Sequence, residues 1–421
     1  MRYLLLFCIL LSACKSETKD TSEPNTSNRQ NLEKTVSLLA NPAKGNSSLP
    51  RLFSNGNDLY MSWVTQEDSV AVLKYSIYNS ANAWSPPTEI TRGADWFVNW
   101  ADFPGIAENN GNILTNILQK SADGTYTYDV KLNLFTAETD NEEGVWKKNF
   151  IAHTDGTKSE HGFVSILPDP DGGFFISWLD GRNTVGGHGD QMDHGSGGAM
   201  TIRAATVTAT GDIINEVELD DKVCDCCQTS AAMTENGPIV TYRDRSDSEI
   251  RDISVVRLVD DNWTEPQTIG NDQWKIAGCP VNGPSVDAYG KDVVVAWFTA
   301  AKGEGDVKVA FSSDNGATFG GAYTIDTGSA TGRVDVVMLD DKEAAVVWME
   351  PRGEDEVIQL IRITKDGRPE PPITISKTTS DRAAGFPQLE RLGNSLFLAW
   401  TEISEAKDRS IKTAVITTDS F

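Results

Sequence analysis

Seven times along the chain a short apolar run leads through a turn rich in Gly, Asn or Asp into a β-type run. Each run closes on an aromatic residue or its stand-in: Trp63, Asn116, Trp178, Tyr242, Trp297, Trp348 and Trp400, spaced 53, 62, 64, 55, 51 and 52 residues apart. A repeat of this length in β-type sequence predicts a β-propeller, because one copy cannot bury its apolar faces without neighbours. The copies fill residues 33–421, so that stretch reads as one closed all-β domain of four-stranded antiparallel blades.

The first copy sets the pattern, with strands predicted at 50–53, 58–65, 70–78 and 84–91, separated by Gly, Asn and Pro turns. The seventh runs out of chain after a third strand at 410–418. Residues 33–39 match the outer strands of the other copies and supply the missing one, which removes the last open sheet edge. The prediction is seven blades closed by an N-terminal strand. The second copy is irregular, and a six-bladed ring with an extra hairpin is the alternative.

Residues 1–13 read as a leader, with Arg2 ahead of an apolar core too short to span a bilayer. Leu11-Ser12-Ala13-Cys14 resembles a bacterial lipobox, which implies cleavage before Cys14 and lipidation of its thiol. Residues 14–32 then form a polar tether. The expected location is the bacterial cell envelope, anchored by lipid at the outer membrane. The chain carries 37 basic and 61 acidic residues, a net charge of −24 that argues against nucleic acid as a partner.

In a propeller, the connections between blades and the turns between second and third strands share one face. On that map His153 and His161 enter the third blade, and His188 and His194 lie in its insertion. Cys224, Cys226 and Cys227 enter the fourth blade and Cys279 the fifth. All four histidines, and all four cysteines that remain once Cys8 and Cys14 are set aside, therefore fall on one face. Counted back from each closing aromatic, His161, Cys226 or Cys227, Cys279 and Arg333 occupy near-equivalent positions, which predicts neighbouring places near the axis.

Two readings of the cysteines stand side by side. Four thiols in an exported chain pair simply as two disulfides, with Cys279 bridging to the Cys224–Cys227 cluster across the blade gap. The same thiols, with the histidines, also offer a soft site for copper or zinc. The acidic, glycine-rich loop around His188 and His194 offers a divalent site of harder character, suited to calcium. Arg182, Arg243, Arg251 and Arg333, with Arg352 and Arg382 nearby, form a second group. A guanidinium fork suits a carboxylate or sulfate ligand; inter-blade Arg–Asp pairing is the alternative. Trp96, Trp100 and Trp274 either stack a sugar ring or belong to the core.

Ser312-Ser313-Asp314-Asn315-Gly316-Ala317-Thr318-Phe319 matches the Asp-box pattern S-x-D-x-G-x-x-F/W, and its place between third and fourth strands is where such boxes sit. The chain thereby resembles the sialidase-like, BNR-repeat propellers. The resemblance implies an acidic glycan in a central pocket and, in an enzyme, exo-sialidase-type hydrolysis. It also implies an arginine triad, for which Arg182, Arg243 and Arg333 are candidates, and reacting groups drawn from Tyr242, Asp244 and Glu249. The family's R-I-P-like landmark is absent: the first copy reads Pro50-Arg51-Leu52. The segments CDCCQTSAA and WKIAGCPVNGP, joined by YRDRSDSEIRD, are similar to a set of bacterial exported propellers usually called sialidase-like. The readings carried forward are a glycan-binding or glycan-processing lipoprotein, a metal or thiol-redox protein, and a scaffold that docks a partner protein.

Overall fold

The computed structural model describes residues 36–79, 81–137, 144–184 and 198–420. Cys14, the tether, His188 and His194 lie outside the described residues. Seven antiparallel sheets follow one another along the chain. The first blade is Ser47–Ser54, Leu59–Glu67, Val70–Tyr78 and Thr88–Gly93. The inner strand of each blade touches that of the next, and the inner strand of the seventh returns to that of the first. The ring is therefore closed with seven blades, not six.

Closure is made as predicted. The seventh blade contributes Gln388–Leu392, Ser395–Ile403 and Arg409–Thr417, and Ser37–Leu39 pairs with the last of these as the outer strand. Proline sets two local departures from the predicted strands. In the first blade the outer strand starts at Thr88 rather than 84, beyond Pro86 and Pro87, and Trp84 keeps only a single bridge to Tyr78. In the fourth, the outer strand breaks into Asn262–Trp263 and Gln267–Ile269 around Pro266, which has no N–H to give to the ladder.

The repeated aromatics explain why the period is readable. Trp63, Trp178, Trp297 and Trp348 are buried between sheets, and each indole N–H finds an acceptor: Thr65 at 3.1 Å, Asp180 at 2.8 Å, Asp272 at 2.8 Å and Glu350 at 3.0 Å. Three of these acceptors lie two residues on along the same strand, where the side chain points to the same face. Burying a Trp between blades needs both the apolar slot and the polar handle.

A second recurring device was not visible in the sequence. The inner strands of blades 1, 3 and 6 each carry a bulge, at Leu49, Phe163 and Arg333, all with positive φ. The N–H freed at each bulge is taken by a side chain of a neighbouring blade or connection: Thr401 Oγ1 at 3.2 Å, Asp102 Oδ1 at 2.7 Å and Asn282 Oδ1 at 2.7 Å. Bulges bend a strand and re-aim its side chains. Here they also tie successive blades together near the axis. The Asp-box turn lies between the third and fourth strands of blade 5. Ser312 Oγ donates to Asp314 at 2.7 Å, Gly316 N–H donates to Ser312 Oγ at 3.0 Å, and Gly316 takes a φ of 75°.

Candidate functional site

Every blade sends its inner strand to the axis, where Arg51, Gly105, Ser165, Ser230, Ser285, Asp335 and Gln388 line a cavity of about 50 Å³. That is far below the roughly 300–1,000 Å³ of ordinary small-molecule sites. The connection from blade 1 to blade 2 reaches across to distant blades. Ala101 O accepts from Gln228 Nε2 at 2.6 Å, and the Trp100 ring stacks on Phe386 with centroids 5.8 Å apart.

The predicted ligand-binding arginines turn out to be engaged within the protein. Arg243 is 2 % exposed, and its guanidinium donates to the carbonyls of Asn282, Arg251 and Phe298 at 2.6–3.1 Å. Its face lies 4.9 Å from the Trp274 ring, which is itself buried. Arg333 donates to the carbonyls of Ser380, Asp381 and Gly385, and burial lowers its pKa to about 10. Arg182 pairs with Asp180 at 2.7 Å and Glu216 at 2.8 Å. Arg251 pairs with Glu249 at 2.8 Å. These four do not converge on an open pocket. Arg243 and Arg333 hold connections to blades, the role the inter-blade alternative gave them, with backbone carbonyls as acceptors in place of aspartates.

The three candidate reacting groups are likewise occupied. Tyr242 is buried, donates its hydroxyl to Asp220 at 2.6 Å, and is raised by burial and by that carboxylate. Asp244 is raised by burial and accepts from Ser254 and the Arg245 N–H. Burial works against the Glu249 carboxylate, but Arg245 and Arg251 outweigh it and hold its pKa down. None of the three lines the axial cavity.

The cysteines do converge. An extended 224–227 segment would send Cys227 away from Cys224 and Cys226, but the segment folds as a turn and all three Sγ atoms meet. Cys224 Sγ stands 3.7 Å from Cys227 Sγ and 4.0 Å from Cys226 Sγ. All four thiols are free, so the expected pair of disulfides is not formed. Cys279, exposed on the connection to blade 5, interacts with Cys226. Arg251 Nη1 donates to Cys224 Sγ at 3.2 Å. Hydrogen bonds with Cys226 and Cys227, together with the Arg251 and Arg243 charges, hold the Cys224 thiol well below its ordinary pKa. Burial pushes the Cys227 thiol up.

His161 joins a second group, with His153. The two imidazoles are stacked at 3.6 Å and 7°, and neither is exposed by more than 1 %. Asp129, Asp155 and Asp180 surround them. None of these aspartates was singled out as a ligand in the sequence, although the spacing His153-x-Asp155 and the end of the Trp178-Leu179-Asp180 strand were available signals.

No protein-family model matches the chain, and no curated protein matches it. Among solved structures it is similar to the polysaccharide lyase Uly1, with a TM-score of 0.48 at 10 % identity over 90 % of both chains. It is similar to the NanB sialidase of Streptococcus pneumoniae, with a TM-score of 0.45 at 12 % identity over 91 % of this chain and 71 % of that one. An α-L-arabinanase of Penicillium chrysogenum gives 0.48 at 11 % identity over 91 % and 97 %. The strand pairing by itself shows the fold: the chain is a seven-bladed β-propeller.

Proposed function

We infer that this protein binds a thiophilic metal ion, copper(I) or zinc, on Cys224, Cys226 and Cys227, with Cys279 as a fourth ligand from the next blade. The Sγ spacing carries the reading. Tetrahedral zinc with Zn–S bonds of about 2.3 Å requires sulfurs about 3.8 Å apart, and the cluster offers 3.7 and 4.0 Å. A three-coordinate thiolate site would suit copper(I) equally by softness. Arg251 supplies positive charge to the thiolates, and exposed Cys279 leaves the site a side open to solvent. Anaerobic reconstitution followed by elemental analysis tests this. An ion with sulfur-to-metal charge-transfer bands is expected, and both the bands and that ion are lost in the Cys224→Ser/Cys227→Ser variant. Two intact disulfides and no retained metal in the purified protein would end the reading.

One observation favours a second reading, an acidic carbohydrate on the loop face, in keeping with the names of the lyase and the sialidase above. Trp100 is only partly buried, and exposed Arg382 lies 6.0 Å from its ring. Phe386 stacks on this ring and Arg333 lies 4.8 Å from its centroid, so the exposed part of the indole, with Arg382, is what would meet a sugar carrying a carboxylate or sulfate. A panel of sialylated, uronic and sulfated glycans should bind, and Trp100→Ala and Arg382→Ala should each abolish binding; silence across the panel removes this reading. The lipobox gives either function an address at the bacterial envelope, through a lipid on Cys14. Metabolic labelling with a radioactive fatty acid should be lost in Cys14→Ser.

A further inference from the structure

We propose a second metal site, chemically distinct from the thiolates: a divalent ion of borderline hardness, zinc in the first instance, held by Asp129, His153 and His161. One ligand atom from each of these three residues lies within 4.8 Å of the others, and all three residues are buried.

The histidines are the reason. His153 Nδ1 lies 2.6 Å from Asp155 Oδ1, the hydrogen bond that fixes a ligating imidazole in the tautomer with a bare Nε2. That Nε2 has no hydrogen-bond partner, and its nearest carboxylate atom is Asp129 Oδ1 at 3.9 Å, too far for a hydrogen bond. Both ring nitrogens of His161 also lack a hydrogen bond, although the residue is 0 % exposed and Asp155 Oδ1 and Asp180 Oδ1 lie 3.4 and 3.6 Å from its Nε2. Native structures rarely leave three such nitrogens unsatisfied in one place, because buried polar atoms are paired with protein, water or an ion.

The charge around the pair points to a cation. Five carboxylates (Asp129, Asp155, Asp180, Glu216 and Glu218) meet three cations, Lys131, Arg182 and Arg203. Two negative charges are left over, which a divalent ion neutralises. Two imidazoles and a carboxylate are the donor set of zinc and of the later first-row metals, and not of the thiolate-seeking copper(I).

The site sits where separate elements meet. Asp129 lies on the third strand of blade 2, His153 and Asp155 on the connection to blade 3, and His161 at the start of that blade's inner strand. Binding would therefore clamp two blades. In this arrangement Asp155 is a positioning residue, acting through His153.

The test uses the full chain and does not depend on the thiolate reading. Protein stripped with a chelator is titrated with Zn²⁺ and with Co²⁺ as a spectroscopic probe. One Co²⁺ is expected to show visible ligand-field bands without sulfur charge transfer, and to persist in the Cys224→Ser/Cys226→Ser/Cys227→Ser variant. Asp129→Asn and His153→Gln should each weaken it at least 100-fold, and Asp155→Asn by roughly 10–100-fold, with circular dichroism confirming the fold. If the triple-serine protein binds no ion, or if folded Asp129→Asn and His153→Gln bind as wild type does, the proposal is overturned. If wild type binds one Co²⁺ and it lacks sulfur charge transfer, this site stands and the thiolate reading fails.

Discussion

Arg251 Nη1 donates to Cys224 Sγ over 3.2 Å, from a guanidinium with no exposure to solvent. This is one cause of the lowered Cys224 pKa, after the hydrogen bonds with Cys226 and Cys227. Replacing the cation should therefore return part of the shift. In metal-free reduced protein, Arg251→Met is expected to raise the thiolate titration midpoint. The ultraviolet absorbance of the thiolate, followed against pH, reads it. An unchanged midpoint would mean that the arginine does not act on the thiol.

Arg243 should behave as a structural residue. Truncation to alanine leaves the carbonyls of Asn282, Arg251 and Phe298 without their donor and opens a gap beside Trp274. Hydrogen bonds to a charged group contribute about 1.5–3 kcal/mol each at best, so a loss of roughly 3 kcal/mol or more is expected in denaturant unfolding. Arg243→Lys should recover little, because one ammonium cannot span the carbonyls that the fork reaches. A variant of near wild-type stability would contradict this assignment.

Asp102 makes the fold sensitive to pH. Burial raises its pKa to about 7, against the opposing hydrogen bonds from the Phe163 N–H and Tyr128. Its folded pKa lies above that of the unfolded chain, so the native state holds the proton more tightly. The stabilisation is complete below about pH 4 and is lost as pH rises through about 7. Glu160, raised by burial to about 8, adds in the same direction. Asp102→Asn keeps an acceptor for Phe163 and removes the ionisation. Between pH 5 and 8 its stability should fall less steeply than that of wild type, by up to about 3 kcal/mol over that window. Parallel curves for the two proteins would show that Asp102 is already ionised in the folded protein across this range.

Deleting residues 34–40 should open the ring. Leu39 O accepts from Thr413 Oγ1 at 2.7 Å, and Ser37–Leu39 covers the edge of Arg409–Thr417. An uncovered strand edge pairs with other chains. A lower Tm and concentration-dependent light scattering are expected. A deleted protein that stays monomeric with an unchanged Tm would make the closure dispensable.

The cysteines and arginines mark where reading the sequence stopped. Placing them on one face needed only the order of strands and turns. Knowing that Cys224, Cys226 and Cys227 converge needed the turn at 225–227, which an extended reading of the segment does not give. The arginines misled for a related reason. Arg243 and Arg333 look like ligands in an acidic chain, but apart from Arg251 O, 8 positions from Arg243, the carbonyls that claim them come from residues 39 to 55 and 47 to 52 positions away.

The number of blades, their closure by an N-terminal strand and the Asp-box turn follow from local pattern. A blade repeats its aromatic anchor and its turns at a fixed spacing, and Trp63, Trp178, Trp297 and Trp348 announce it. The narrow axis, the bulges at Leu49, Phe163 and Arg333, and the partners of the buried histidines were decided by tertiary structure. Each depends on a side chain or carbonyl of a different blade arriving at hydrogen-bond distance. Periodicity fixes which face a residue occupies, whereas packing between blades fixes which atoms it meets.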